Sequence, residues 1–320
     1  MSFFGKTFEA SAQGSQFMQF ASQFNKVYET SNEFVKRYTL FQVSLAKIEA
    51  INNSQANWTA GINHMSDWTD EEYNSMLGLK DMPVEPEEPI WPFVGESSNS
   101  EGWDWRDTPN VVTPVKDQGQ CGSCWAFSAT EAVESAYAIA GNDLTTFAPQ
   151  QLVDCDKSLF KSHGCSGGWY YYAYQYLSNH KFMKEEDYPY TSGVTQTESK
   201  CAYDSTKGVT NVSSYKQVSK NTDSIKAAIE IGPVNVAVAA GNDIFRNYQS
   251  GIVTEADGCP TRVDHAIVAV GYGYEGDQGY YIVRNSWTTS WGDAGYIKIG
   301  MADGKTGVCG INGYVYYPII

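Results

Sequence analysis

The sequence predicts an α+β protein in which a helical half precedes a β half, with a separate helical segment ahead of both. Three observations predict this. Apolar residues between positions 15 and 53 recur at three- and four-residue spacing, the period of a helix. Two further helical runs follow, one rich in alanine from Cys124 and one rich in tyrosine from Trp169. From Pro233 onward the pattern changes to short β-branched and aromatic runs, which read as strands. At 320 residues and 42% hydrophobic content the chain can bury a substantial core, and its length suits two or three units.

In chain order, Phe17, Phe20 and Phe24 mark a first amphipathic helix, and Phe34, Tyr38, Phe41, Leu45, Ile48 and Ile51 a second. After Leu79, proline and turn residues dominate as far as Gly102, so this stretch reads as an exposed linker open to proteolysis. Cys124 to about Ala140 is an alanine-rich helix stopped by Gly141-Asn142, and it has so few polar faces that it should be buried. Trp169 to Tyr176 forms another helix and Ser224 to Ile231 a third. Strands follow over Val234 to Ala240, His265 to Tyr274, Tyr280 to Trp287 and Tyr296 to Met301. The expected boundaries are 1–96 for the N-terminal segment with its linker and 97–320 for the main body. Within that body the helical half covers roughly 120–210 and the β half roughly 211–320. A cleft between two such halves is a natural place for a site.

The net charge of -15 and pI near 4.6 argue against nucleic acid, whose phosphates recruit Lys and Arg. No apolar run reaches the length of a membrane span. The first residues lack the long apolar core of a signal peptide. Seven cysteines and three sequons, at Asn52, Asn57 and Asn211, nevertheless fit a secretory route, so a targeting segment is expected to be missing ahead of Met1, the alternative being a cytosolic protein with reduced thiols.

Six cysteines can pair in 15 ways and one is left over. Cys124 opens a helix, where backbone N–H groups and the helix dipole favour a thiolate, so it is the candidate nucleophile. Of the four histidines, His265 begins one strand and Asn285 ends the next. If the two strands form an antiparallel hairpin, these side chains become neighbours. Asn285 could then fix the imidazole tautomer. Gln118, six residues before Cys124, offers an amide that, with the Cys124 N–H, could stabilise an oxyanion. Trp287 could cover the pair and keep water out. His64, His163 and His180 show no partner pattern and read as solvated or locally bonded.

These motifs resemble the papain family of cysteine proteases. The residues that carry the resemblance are Gln-Gly-x-Cys-Gly-Ser-Cys-Trp-Ala-Phe around Cys124, Asp-His-Ala-Ile-Val-Ala-Val-Gly-Tyr-Gly around His265, and Asn-Ser-Trp-x-x-x-Trp-Gly from Asn285. Glu33, Arg37, Phe41, Ile48 and Asn52 resemble the prosegment signature of the cathepsin L-like branch, with Ser44 in place of the usual Asn. Gly61, Asn63 and Asp67 resemble a second prosegment motif, with Met65 in place of the usual Phe. The resemblance implies a papain-like two-domain fold, with a helical left domain, a barrel-like right domain and the cleft between them, preceded by an inhibitory propeptide. The propeptide tail would run through the cleft backwards relative to substrate and be cut near residues 95 to 102. Acid would loosen it by protonating carboxylates that contact the enzyme, with Glu33, Arg37 and Asp67 in that network.

The same resemblance implies the disulfides Cys121–Cys165, Cys155–Cys201 and Cys259–Cys309, leaving Cys124 free. It places Gly167 and Gly168 on the edge that binds the substrate main chain. Trp169, Tyr170, Val263, Ala266 and Tyr314 would line the pocket for the residue two before the cut, and Gly122, Asp264 and Trp287 complete the substrate-binding set. Tyr314 should shorten that pocket, favouring Val or Leu over Phe and accepting Arg weakly. The expected activity is that of an endopeptidase, without metal or organic cofactor. Expected partners are protein and peptide substrates, the propeptide itself and cystatin-type inhibitors, with no nucleic acid or membrane, for a monomer in a lysosome-like vacuole or secreted. Three other readings compete. A redox pair at Cys121 and Cys124 needs a strand leading into the motif, where the sequence reads as loop. Zinc on Cys121, Cys124, Cys155 and Cys165 needs a tighter second spacing. A non-catalytic binding module would usually have lost the nucleophile or the histidine, and both persist here.

Overall fold

The computed structural model describes residues 12–54, 57–79, 93–97, 101–157, 162–303 and 306–320. Two helices lead, α1 (Ala12–Gln23) and α2 (Ser31–Asn52). Thr30 caps α2 by accepting the Glu33 N–H at 3.1 Å. The helices meet around Phe17, whose ring lies 5.3 to 6.0 Å from those of Phe20, Tyr28, Phe34, Tyr38 and Phe41. A strand, β1 (Trp58–Ala60), and a short helix, α3 (Asp70–Asn74), complete this segment. Thr69 and Glu72 close α3 with a capping box.

The main body continues with β2 (Trp103–Asp104), α4 (Cys124–Ile139), α5 (Pro149–Cys155) and α6 (Tyr170–Leu177). After β3 (Phe182–Met183), α7 (Ser192–Thr195), β4 (Gly208–Thr210) and β5 (Ser214–Gln217) come α8 (Thr222–Ile231), β6 (Val234–Val238), α9 (Asp243–Asn247) and β7 (Tyr248–Val253). The last strands are β8 (His265–Glu275), β9 (Gln278–Arg284), β10 (Tyr296–Gly300) and β11 (Tyr316–Ile319). One sheet runs β1-β7-β10-β9-β8-β6-β11-β5, with β2 pairing to β8, so a strand of the N-terminal segment forms its edge.

α4 is buried from Cys124 to Ser135 and packs its N-terminal half on β8. Charged side chains tie it to the β half beneath the cleft. Arg284, at the end of β9, lies 3.2 Å from Glu131, both almost wholly buried. Lys116 lies 2.9 Å from Glu134, which also accepts from Thr113 at 2.5 Å. Burial pushes the Glu131 carboxyl up to about 7 against the pull of Arg284 and Lys116. These pairs sit next in sequence to Asn285 and two residues from Gln118, so they hold both candidates in place. Three disulfides, Cys121–Cys165, Cys155–Cys201 and Cys259–Cys309, close the body, and Cys124 is the free cysteine.

Three expectations need correction. The Glu33, Arg37 and Asp67 network does not reach across to the main body. Arg37 grips Glu72 through both terminal nitrogens at 2.5 and 2.6 Å and Glu33 at 2.5 Å. Asp67 takes Lys26 and Tyr28, each at 2.9 Å. All of these partners belong to the N-terminal segment, because the second motif folds back on α2. Ion pairs that do cross are Arg246–Asp70 at 2.6 Å and Lys47–Asp243 at 2.8 Å.

The second correction concerns the linker. Residues 80–92 and 98–100 lie outside the described residues, but 93–97 is docked rather than free. Phe93 pairs beside Val218, donating to Gln217 O at 2.6 Å and accepting from Ser219 N at 2.9 Å. Ser97 Oγ bonds Glu230 at 2.5 Å and Tyr272 at 2.8 Å. Exposed β5 backbone on the sheet edge supplies the partners that composition cannot reveal. Third, His64 is half-buried and bonds beyond its own segment: its Nδ1 lies 2.9 Å from Ser290 Oγ of the main body and its ring stands edge-on to Trp68.

Candidate active site

Cys124 is the first residue of α4, following Ser123, whose hydroxyl bonds Tyr190 instead of capping the helix. Across the cleft, β8 begins at His265 and the chain leaves β9 just before Asn285. The antiparallel pairing of β8 with β9 through the turn at Gly276 brings the two together. His265 Nε2 lies 2.8 Å from Asn285 Oδ1. That oxygen also accepts the Ser286 N–H at 2.8 Å, which fixes the orientation of the amide. His265 Nδ1 is buried and has no hydrogen-bond partner among the described residues. Trp287 stacks on the imidazole at 4.6 Å and is itself fully buried.

Gln118 is held at both ends. Its Oε1 accepts from Ser286 Oγ at 2.8 Å and Trp287 Nε1 at 3.2 Å. Its Nε2 donates to Cys121 O and to Met76 O, both at 2.8 Å. The second acceptor belongs to the N-terminal segment, which crosses the site after α3. Gly78 N–H points at Cys124 Sγ at 3.3 Å, Gly78 O accepts the Gly168 N–H at 3.0 Å, and Leu79 N–H donates to Asp264 O at 3.0 Å. A Cβ on Gly78 would stand 2.0 Å from Gly122 O, so only glycine passes here. Gly167, at φ +123, is equally constrained, since its Cβ would meet Gly78 O at 2.3 Å. Leu79 is buried in one apolar cluster with Trp169, Tyr170, Val263 and Ala266, and Tyr314 packs against that cluster. Tyr73 covers Trp287 edge-on at 5.5 Å and donates to Ala240 O.

Burial dominates the electrostatics. It pushes the Cys124 thiol up to about 11, against the backbone amides of Ala266, Gly78 and Trp125, and lowers the His265 imidazole to about 4, against its bond to Asn285. Burial of the covered cleft therefore opposes the thiolate that the helix terminus favours. Asp264 is bound through its carboxylate to the amides of Ala240 and Gly241 at 2.7 and 3.1 Å, so its backbone carbonyl faces the crossing segment.

The structure thus brings together Gln118, Gly122, Cys124, Gly168, Asp264, His265, Asn285 and Trp287 around residues 76–79. In the first prosegment motif, Phe41 lies in the Phe17 core and Ile48 packs against the main core. Asn52 pairs both ways with the Ala60 backbone, at 3.0 and 2.8 Å. In the second, Asn63 reaches Arg246 O of the main body at 2.8 Å, while Gly61 N–H donates to Asn247 O at 2.8 Å. Ser44, where an Asn was expected, bonds Ser66 O at 2.7 Å, and Met65 is fully buried. Both departures are therefore accommodated. Sequence reasoning missed Met76, Gly78, Leu79, Tyr73 and Ser286. The one available signal was a glycine between two leucines just after a helix, too common a pattern to single out.

Comparison with known proteins gives two family matches. Residues 99–319 match the papain family cysteine protease, and residues 17–73 match the cathepsin propeptide inhibitor domain. Germination-specific cysteine protease 1 of Arabidopsis thaliana is 37% identical, covering 95% of this chain and 84% of the relative. Digestive cysteine proteinase 2 of Homarus americanus is 35% identical, covering 94% and 93%. Among solved structures, digestive procathepsin L 3 of Tenebrio molitor larval midgut superposes with a TM-score of 0.84 at 31% identity, covering 97% of this chain and all of the other. The recombinant stem bromelain precursor gives 0.84 at 30%, covering 97% and 99%.

Proposed function

The chain belongs to the papain family of cysteine proteases and is a cysteine endopeptidase in its proenzyme form, and from that premise we propose how its residues divide the work. Cys124 is the nucleophile and His265 its acid–base partner through Nδ1, oriented by Asn285 at Nε2. In the closed proenzyme the pair is neutral. Withdrawal of residues 76–79 admits water and substrate dipoles, which lowers the cost of charge and allows proton transfer from Cys124 Sγ to His265 Nδ1. The thiolate then attacks the peptide carbonyl carbon. Gln118 Nε2 and the Cys124 N–H receive the oxyanion. As the C–N bond breaks, His265 gives its proton to the leaving amine. It then takes one from water, whose oxygen attacks the thioester and frees the acid with Sγ restored.

The observation that carries this reading is the Met76–Leu79 crossing. The Met76 carbonyl takes the Gln118 amide that an oxyanion would take, and Gly78 lies over the thiol. Leu79 shares one buried apolar cluster with the residues proposed to line the pocket for the residue two before the cut, which supports a preference for Leu and Val over Phe and Arg. We assign residues 1–96 to the propeptide with its linker and 97–320 to the peptidase. Gly122, Gly167, Gly168, Trp169, Tyr170, Val263, Asp264, Ala266, Trp287 and Tyr314 form the substrate cleft. A monomer working in an acidic vacuole or secreted, and open to cystatin-type inhibitors, suits this assignment.

The test is hydrolysis of fluorogenic dipeptides after incubation at pH of about 4 to 5, comparing wild type with Cys124→Ala. Activity should appear together with loss of a fragment of roughly 10 kDa and be absent from the variant. A variant that still cleaves, or a wild type inert even after its linker has been cut by another protease, would overturn the assignment.

A further inference from the structure

Tyr314, the residue expected to shorten the pocket, packs against the apolar cluster that holds Leu79. Tyr314 lies against Trp169, with ring centroids 5.1 Å apart, and its backbone is pinned by Tyr170, whose hydroxyl donates to Tyr314 O at 2.5 Å. Lys220 also lies over the Tyr314 ring, with Nζ 5.3 Å from the centroid. It is brought there because the chain leaving β5 runs beside the approach to β11, with Val218 N–H bonded to Val315 O. Lys220 is exposed, so this contact contributes little to stability. Its charge has another consequence. The protein is strongly acidic, with a net charge of -15, and its long-range field draws basic peptides. The Asp264 carboxylate is turned to the amides of Ala240 and Gly241, at 2.7 and 3.1 Å, rather than to the Tyr314 ring.

We propose that Lys220 is a specificity-determining residue, its ammonium group closing the outer end of the Leu79 pocket with positive charge and disfavouring substrates that place Arg or Lys there. This rests on the assignment of that pocket made above and adds to it. Tyr314 limits the pocket by volume, and Lys220 limits it by charge. A long basic side chain that passed the tyrosine would bring its own cation towards the ammonium group, whereas Leu and Val stop short and do not sense it. Like charges at an exposed site repel modestly and are screened by salt, so the effect belongs in a ratio of substrates rather than in overall activity.

The experiment compares matured wild type, Lys220→Gln and Lys220→Glu on fluorogenic dipeptides that differ only in Leu or Arg at the second position. The Arg-to-Leu ratio of kcat/KM should rise about twofold in Lys220→Gln and about fivefold in Lys220→Glu, with Leu turnover unchanged, and the gain should shrink at high salt. An unchanged ratio in an active Lys220→Glu enzyme overturns the inference and leaves the pocket assignment standing. If Lys220→Glu does not mature, the Lys220→Gln ratio decides in the same way. A wild type that prefers Phe or Arg to Leu and Val would overturn the pocket assignment itself, and this inference with it.

Discussion

Around Phe17 the propeptide packs five aromatic rings between two helices, and it fastens its second motif to them through Arg37 and Asp67. The peptidase closes its chain with three disulfides spanning 44, 46 and 50 residues and buries the Arg284–Glu131 and Lys116–Glu134 pairs beneath the cleft. In the chain-entropy account each such bridge contributes about 4 kcal/mol. A segment of the propeptide's size, with no covalent tie, is marginal by itself. The contrast places the weakness where activation needs it: conditions that dissolve the inhibitor leave the enzyme folded.

The sharpest way to break the contrast is to remove Arg37. Its guanidinium joins α2 to α3 through Glu72 and to the Asp67 carbonyl at 3.0 Å, so truncation strands two carboxylates together. Arg37→Ala should destabilise the propeptide by about 2 kcal/mol, since solvent screens its half-exposed partners. A two-step thermal melt should show the first transition lowered or lost and the second unmoved, with latency abolished. Coincident movement of both transitions would mean that the two regions unfold as one. Gly78→Ala tests the other side of the contrast, the fit of a folded inhibitor. The added methyl group meets the Gly122 carbonyl at 2.0 Å, backbone against backbone, with nothing flexible to yield. Latent activity of the uncut proenzyme at neutral pH should rise about tenfold to 100-fold, with the melt unchanged.

Much of this was legible in the sequence, and the gaps have a physical pattern. The long helices at 12–23, 31–52 and 124–139 and the hairpin joining His265 to Asn285 follow from periodicity and spacing. Cys124, His265 and Asn285 converge because each stands at or next to the end of an element that the pattern delimits, and Gln118 joins them from the loop six residues before Cys124. What the sequence does not display is contact between distant segments. Residues 76–79 are recognisable only once the cleft exists, and Phe93 to Ser97 looks like linker until the β5 edge is there to receive it. Charge partners were misjudged for the same reason. Glu33 and Arg37 lie four residues apart on one helix face, a spacing that points to each other before any third group.

His64 gives the smallest effect and refines the comparison with respect to acid. In the proenzyme its ring lies against Trp68 and bonds Ser290 across the interface, while Lys26 donates to its carbonyl at 2.7 Å and to Asp67. Burial first, and the nearby Lys26 charge second, lower its pKa from 6.5 to about 4. Below pH of about 6.5 the released propeptide takes up a proton there that the docked one refuses. The docked state is therefore at full strength above that value, loses stability as pH falls towards 4, and loses no more from this group below it. The ring is half-exposed and solvent screens part of the effect, so the expected consequence is a shift in the pH of processing rather than its loss. His64→Gln, which keeps an amide within reach of Ser290 without the titration, should move the midpoint of acid-triggered processing down by about half a pH unit and leave latency at neutral pH intact. An unmoved midpoint would show that the His64 imidazole does not carry the acid response.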